Sequence, residues 1–405
     1  MEKNLQPDML DEICALCEGG LKPVKPDNLK ARLKGALIGR FAGCLLGVPV
    51  ENWKIADMQN VANNCGMDFP PTTYWKEVGN PDGIQYGVSP RRGYTESGMN
   101  GVAVDDDITY TALNLLLLEK YGKNYTVEDV GQLWLDILPY ACTAEDVALK
   151  ELRKGTKAKN CADNNEYVEW IGAAIRADAF GYAEAGNPEN AIMLCYNDAY
   201  LSHSKNGIYG EMFCSALIAS AFTSRTPLEA IKNGMKYIPK TSELYEALKW
   251  ALGYEGKLTD YLHARKLLDE KFSGMHCVHT INNMCAIVFA LILGGNDFTA
   301  CISSCIAIGL DNDCTGATVG SIVGACLSID GIDKKWYENF NDKVLTYITG
   351  YPEFSIDDMV ERFYKLNEEE LNEKETVNNV VCGYGRVLNV GNGCFDCGSA
   401  RQSYR

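Results

Sequence analysis

Four stretches of the chain are apolar at helical spacing or apolar almost throughout: "LKARLKGALIGRFAGCLLG" from residue 29, "ITYTALNLLLLEKYG" from 108, "YGEMFCSALIASAF" from 209 and "HTINNMCAIVFALILGG" from 279. Apolar residues at i, i+3 and i+4 line one face of a helix, and a helix apolar on every side is buried on every side. Alternating strand patterns are scarce and short. Clusters of Gly, Asn, Asp and Pro, as in "EVGNPDGIQYG" and "EAGNPENA", punctuate the helical runs as turns. The pattern predicts an all-α domain in which a sheath of helices surrounds buried central ones.

Small residues recur about every fourth position in "GALIGRFAGCLLG" and "GATVGSIVGA", which puts them on one face of each helix. Glycine inside a helix costs roughly 1 kcal/mol against alanine. The stripes therefore need a reason, and close approach of two helices supplies one. Residues 1–28 read as a leader, 29–366 as the helical domain, and 367–405 as a polar hinge, "NEEELNEKETVNN", followed by a Gly/Cys-containing tail.

Composition adds limits. At 405 residues, 46% apolar and 23% charged, the chain has the balance of a folded globular protein with a large core. A formal net charge of −16 argues against direct nucleic-acid binding, which needs a basic face to displace counterions. The same charge would repel a phosphorylated substrate unless cations intervene. No uncharged apolar run reaches the length of a membrane span, so no membrane partner is expected, and the acidic N-terminus lacks a signal-peptide pattern. Many of the 17 cysteines lie in helical stretches such as "CISSCIAIG", where a free thiol packs as a small hydrophobe. That usage predicts a reducing, cytoplasmic setting.

The candidate chemistry lies in two acid clusters. In "VDDDITYT", Asp105, Asp106 and Asp107 stand at the head of a helix. A single acid there caps the helix and suits its dipole. Three in a row exceed that need, because adjacent carboxylates repel and each needs compensation. In "GLDNDCTGATVGSIVGA", Asp311 and Asp313 open a second apolar helix. If the two helix starts meet, five carboxylates share one pocket, and a divalent cation such as Mg²⁺, which takes oxygen ligands, is the natural compensator.

Taken in order, "GALIGRFAGCLLGVPVE", "DDDITYT" and "DNDCTGATVGSIVGA" resemble the motifs of the ADP-ribosylglycohydrolases, also called the dinitrogenase-reductase-activating glycohydrolase family. Intervening stretches such as "EWIGAAIRADAFGYAEAGNPENA", "DAYLSHSKNGIYGEMF" and "HTINN" look like the larger bacterial members, and the likeness runs from about Leu29 to about residue 365. The resemblance implies a compact all-α bundle and two Mg²⁺ ions held between the motifs. It matches Asp106 and Asp107 to the paired acids, with Asp105 in a slot usually held by Thr or Ser, and Asp311 and Asp313 to the Asp-x-Asp ligands. Glu51 matches the Glu that closes the first motif and in some members contacts the catalytic water. The implied activity is Mg²⁺-dependent hydrolysis at the anomeric carbon of ADP-ribose, or of a related ribosyl group, on an acceptor such as a protein side chain. Glu51, Asp106 and Asp107 are the candidate bases.

Two departures bear on the second ion. Cys314 replaces the family Thr, and a neutral thiol is a poor ligand for a hard cation. Thr315 points about 100° away on an ideal helix and does not substitute. Cys44 stands where many members have Asp, and Asp105 is offered as a replacement oxygen donor. His203 matches a family His lining the substrate cleft, and Gly207 and Gly210 would let backbone amides approach a phosphate at a helix start, although a plain turn explains both glycines. Asn282, Asn283 and His279 fit either binding or structure. Glu145, Arg176 and Asp178 fit an ion pair or a cleft wall. Cys382, Cys394 and Cys397 fall one ligand short of a closed zinc site. The rival readings are a helical isoprenoid synthase, whose acid motif "DDDIT" only faintly matches, and a catalytically impaired ADP-ribose-binding or structural protein of the same fold.

Overall fold

The computed structural model describes residues 5–376, so Cys382, Cys394 and Cys397 lie outside the described residues. Among the described residues there are sixteen α-helices and two small antiparallel hairpins. The hairpins pair Ile84–Gln85 with Ser89–Pro90 and Val344–Ile348 with Tyr351–Phe354. They are too short to give an alternating pattern that separates them from loops.

Two antiparallel helices, Leu29–Gly47 and Asn312–Leu327, form the axis. Their glycine stripes face each other. A Cβ on Gly35 would stand 2.5 Å from the carbonyl oxygen of Gly324, one on Gly39 2.1 Å from that of Gly320, and one on Gly43 1.9 Å from that of Gly316. Without side chains the two backbones touch, and the packing gained offsets the poor helix propensity of glycine. Because the pairing runs in opposite directions, the end of the first helix meets the start of the second. Every residue of Asn206–Ala221, one of the helices packed around this axis, is buried, as its mostly apolar run predicts.

Arg40, fully buried, is the charged residue within the apolar half of the first helix. Its guanidinium donates to Thr111 Oγ1 at 2.7 Å, Asp178 Oδ2 at 2.7 Å, and the carbonyls of Asp107 and Ile175 at 2.8 and 2.6 Å. It thereby fastens the axis to the helix Asp106–Tyr121. A buried charge that satisfied is tolerated; stripped of its partners it would not be.

Both ends of the domain carry structure of their own. Residues 5–28 are seated on the domain: Ile13 is fully buried, and Tyr209 donates to the Pro7 carbonyl at 2.5 Å. The boundary expected at 367 falls inside one helix, Ile356–Thr376. Asn367 donates to the Tyr182 carbonyl at 2.8 Å and accepts from the Ala185 N–H at 3.0 Å. Leu29–Val50 is long and apolar enough to cross a membrane, although it carries Arg40; 94% of its most apolar 18-residue window is buried inside the protein.

Candidate metal centre

Three backbone features converge at one end of the axis. The first helix runs out through Val48–Val50 to Glu51, and the helices Asp106–Tyr121 and Asn312–Leu327 both begin there. Gly47 abuts Asp313, the Asn52 N–H donates to the Leu310 carbonyl at 3.2 Å, and Arg40 pins Asp107. Two helix N-termini therefore direct partial positive charge at the acids.

The acids form a connected set. One oxygen from each of Glu51, Asp311 and Asp313 lies within 4.8 Å of the others, and so do donor atoms of Asp107, Asp313 and Cys314, and of Cys44, Asp105 and Asp107. Asp313 joins the first two groups, and Asp107 the last two. Asp106 belongs to none of these groups; it is partly exposed, and the Tyr86 hydroxyl donates to its Oδ1 at 3.1 Å. Asp105, Asp107, Asp311 and Asp313 are all buried.

Capping accounts for one of these acids. Asp105 precedes its helix and accepts the Asp107 N–H at 3.2 Å on Oδ1, the oxygen that also takes the Cys44 thiol at 3.1 Å. That oxygen is committed to structure, which weakens Asp105 as a replacement ligand. Asp311 occupies the equivalent position on its own helix and makes no side-chain cap. Asn283 holds the Asp311 loop instead: its Oδ1 accepts the Asp311 N–H at 3.2 Å while its Nδ2 donates to the carbonyls of Cys277 and His279 at 2.7 and 2.9 Å. Thr315 bonds back to the Asp311 carbonyl at 2.9 Å, turned into its own helix as its position predicts.

Burial first, and the neighbouring acids second, raise Asp105 and Asp313 well above the ordinary carboxylate range. Burial also raises Asp106 and Asp311. Asp107 is pushed up to about 7 by burial even though Arg40 pulls the other way. Glu51 is exposed as a residue, yet the protein packed around its carboxyl, followed by Asp311, Asp106 and Asp107, pushes it up to about 8. One buried arginine does not neutralise so many carboxylates. Moreover, Asp107 Oδ2 and Asp313 Oδ1 are buried with no hydrogen-bond partner, and such atoms call for a missing partner. A hard divalent cation fits this donor set. The fit is best at Glu51, Asp311 and Asp313, which offer only oxygens. At Asp107, Asp313 and Cys314 burial and the nearby acids hold the thiol protonated, which suits Mg²⁺ poorly.

The three residues expected to bind substrate are all buried. His203 is 1% exposed; its Nδ1 pairs with Ser202 Oγ at 2.8 Å and its Nε2 accepts the Ala173 N–H at 3.2 Å. Burial and Arg176 keep the imidazole neutral, and both ring nitrogens are engaged inside the protein. A Cβ on Gly207 would lie 2.1 Å from the Val168 carbonyl oxygen, and one on Gly210 2.5 Å from the Thr280 methyl. These glycines serve packing. The helix start beside them is already occupied by an acid, since Asp8 accepts the Lys205 N–H at 2.6 Å. Glu145 does pair with Arg176, which also binds Asp198 at 2.5 Å, whereas Asp178 belongs to Arg40. His279 caps its helix by accepting the Ile281 N–H at 3.2 Å.

Sequence reasoning passed over Arg40 and Tyr86. A lone arginine in the run "GALIGRFAG" was a usable signal for the first. Tyr86 sits in a turn cluster that gives no sign of where its ring points.

Residues 25–372 match the family model described as ADP-ribosylglycohydrolase. Among solved structures, one described as an "ADP-ribosylglycohydrolase-related protein complex" superposes with a TM-score of 0.52 at 17% identity, covering 84% of this chain and 99% of that chain, a likeness of fold. No curated protein matches. The family match spans both glycine-striped helices and every acid of the cluster: the chain belongs to the ADP-ribosylglycohydrolase family.

Proposed function

We propose that this protein is a Mg²⁺-dependent glycohydrolase that cleaves the bond between the anomeric carbon of ADP-ribose, or a related ribosyl group, and its acceptor. The observation that carries this reading is the meeting of Glu51, Asp107, Asp311 and Asp313 with two buried oxygens unpartnered. Asp311 and Asp313 would hold the first ion with Glu51 beside it, and Asp107 and Asp313 the weaker second, with Asp106 at the edge. When bound, a divalent cation there supplies charge that orients the ribose hydroxyls and acidifies a water.

The chain's own groups do the rest. Glu51, the exposed member, is the residue best supported as base, since it meets solvent beside the buried acids. Its carboxylate takes a proton from water as the oxygen attacks the anomeric carbon. The bond to the acceptor breaks through an oxocarbenium-like state, the bonding electrons leave with the acceptor, which takes a proton from solvent water, and Glu51 returns its own proton to solvent. Asp107 and Asp311 are held by Arg40 and Asn283, so they need little reorganisation during the reaction. With a net charge of −16, the cation is also the means by which a diphosphate approaches an acidic site. A cytoplasmic setting is part of the proposal, supported by thiols such as Cys195, Cys214 and Cys285 buried as free core residues.

Cys314 favours one alternative, a protein that binds ADP-ribose without turning it over, because a thiol stands where an oxygen would complete the second site. A panel of defined ADP-ribosyl conjugates, arginine- and serine-linked among them, separates the two. Free ADP-ribose released with Mg²⁺ and not with chelator supports the hydrolase; metal-dependent binding without release across the panel supports the alternative.

A further inference from the structure

We infer that Tyr86 is a positioning residue for this centre, its phenol holding the Asp106 carboxylate in the orientation that faces a divalent cation. The inference rests on the metal centre proposed above. Of the five clustered aspartates, Asp106 alone is partly exposed, and a carboxylate open on one side rotates unless a donor fixes one oxygen. The Tyr86 hydroxyl, 3.1 Å from Oδ1, is such a donor. Partners of this kind, one shell out from a metal, set the direction of its ligands.

The ring itself is braced. Tyr347 and Tyr140 lie nearly parallel to it, with centroids at 5.4 and 6.1 Å, and they stack on each other at 4.5 Å. The Tyr140 hydroxyl donates to the Tyr86 carbonyl at 3.2 Å. These three tyrosines come from the first hairpin, from the segment ahead of helix Thr143–Arg153, and from strand Val344–Ile348. Three distant parts of the chain thus meet to hold one phenol on one acid.

Backbone strain is the independent observation. Tyr86 has φ of +50° in the loop that joins Gln85 to Ser89. Glycine or asparagine takes that conformation readily, whereas a bulky aromatic does so at a cost. A strained residue beside a candidate site points to a side chain held there by what it touches. The stack accounts for an aromatic ring at this position, and the bond to Asp106 is what uses its hydroxyl.

The test is calorimetric titration of Mg²⁺ into the parent protein, Tyr86→Phe and Tyr86→Asn, paired with thermal unfolding of each in chelator. Tyr86→Phe keeps the ring and should weaken Mg²⁺ binding by about tenfold with an unchanged metal-free Tm. Tyr86→Asn, which gives up the ring stack together with the hydroxyl, should weaken it at least as much. A Tyr86→Phe affinity equal to the parent's overturns the inference and leaves the centre standing. So does a metal-free Tm of Tyr86→Phe that falls in step with the affinity, which would make the hydroxyl structural. A parent that binds no Mg²⁺ overturns both.

Discussion

Gly47 and Asp313 are in backbone contact: a Cβ added to the glycine would lie 2.3 Å from the aspartate Cα. That contact is the last of the glycine stripe, and it sets the ligand-bearing turn of one helix against the exit of the other. Packing and chemistry are thus linked through positions that carry no functional group.

Gly43→Ala tests the link. Alanine favours the helix by about 1 kcal/mol, yet its Cβ would stand 1.9 Å from the Gly316 carbonyl oxygen. Forcing backbones apart costs about 1–3 kcal/mol or more, so denaturant unfolding should show a net loss and Mg²⁺ affinity should fall with it. An unchanged or raised stability would mean that the helices are not in contact there.

The acid cluster sets a pH signature. Asp107 at about 7 and Glu51 at about 8 lie above the ordinary carboxylate range. From about pH 4 up to those values the folded protein holds protons that the unfolded chain has released. Metal-free stability is therefore full at the acid end and declines as pH rises through this window. Solvent access at Glu51 reduces its share. Glu145, pushed up to about 7 by burial against the pull of Arg176, adds to the decline but lies with Arg176 and not in the cluster. Mg²⁺ should consequently widen the Tm gap over chelator as pH rises, reaching about 2.7 kcal/mol of stabilisation at a hundred times Kd. Parallel curves from about pH 5 to about pH 9 would disconnect the cation from these carboxylates.

Cys314→Thr replaces a protonated thiol with a hydroxyl of similar size at the weaker donor group. Because a hard cation prefers oxygen, the variant should bind Mg²⁺ about tenfold tighter at the second site, seen in calorimetry as a stoichiometry nearer two than the parent's. Identical isotherms would show that residue 314 does not face an ion.

What could be read from sequence divides along physical lines. The acid clusters and glycine stripes were visible because spacing within a single helix defines them, and helical periodicity is local. Their union depended on a pairing between residues 43 and 316 that only tertiary structure reveals, although the matching stripes hinted at it. His203 illustrates the opposite case. Its setting, "LSHSKNGIYG", reads as an open loop, but residues 6–8 and Arg176 close over that region, and no local pattern records what a distant segment covers. Asn283 looked ambiguous for the same reason: its partner is the backbone of Asp311, reached only after folding. The boundary expected at 367 lies within the helix Ile356–Thr376, because composition alone does not mark where a helix ends.

The most direct measurement is Mg²⁺ titration of the parent and of Asp311→Asn at about pH 7, run in two buffers of different ionisation enthalpy. The parent should bind and release protons, because carboxylates raised by burial must ionise to take the cation. Asp311→Asn, with the fold intact by circular dichroism, should lose about a hundredfold or more in affinity together with the release of ADP-ribose from its conjugates. Near-native binding and turnover in that variant would contradict the account, since it would leave the cation somewhere other than among these aspartates.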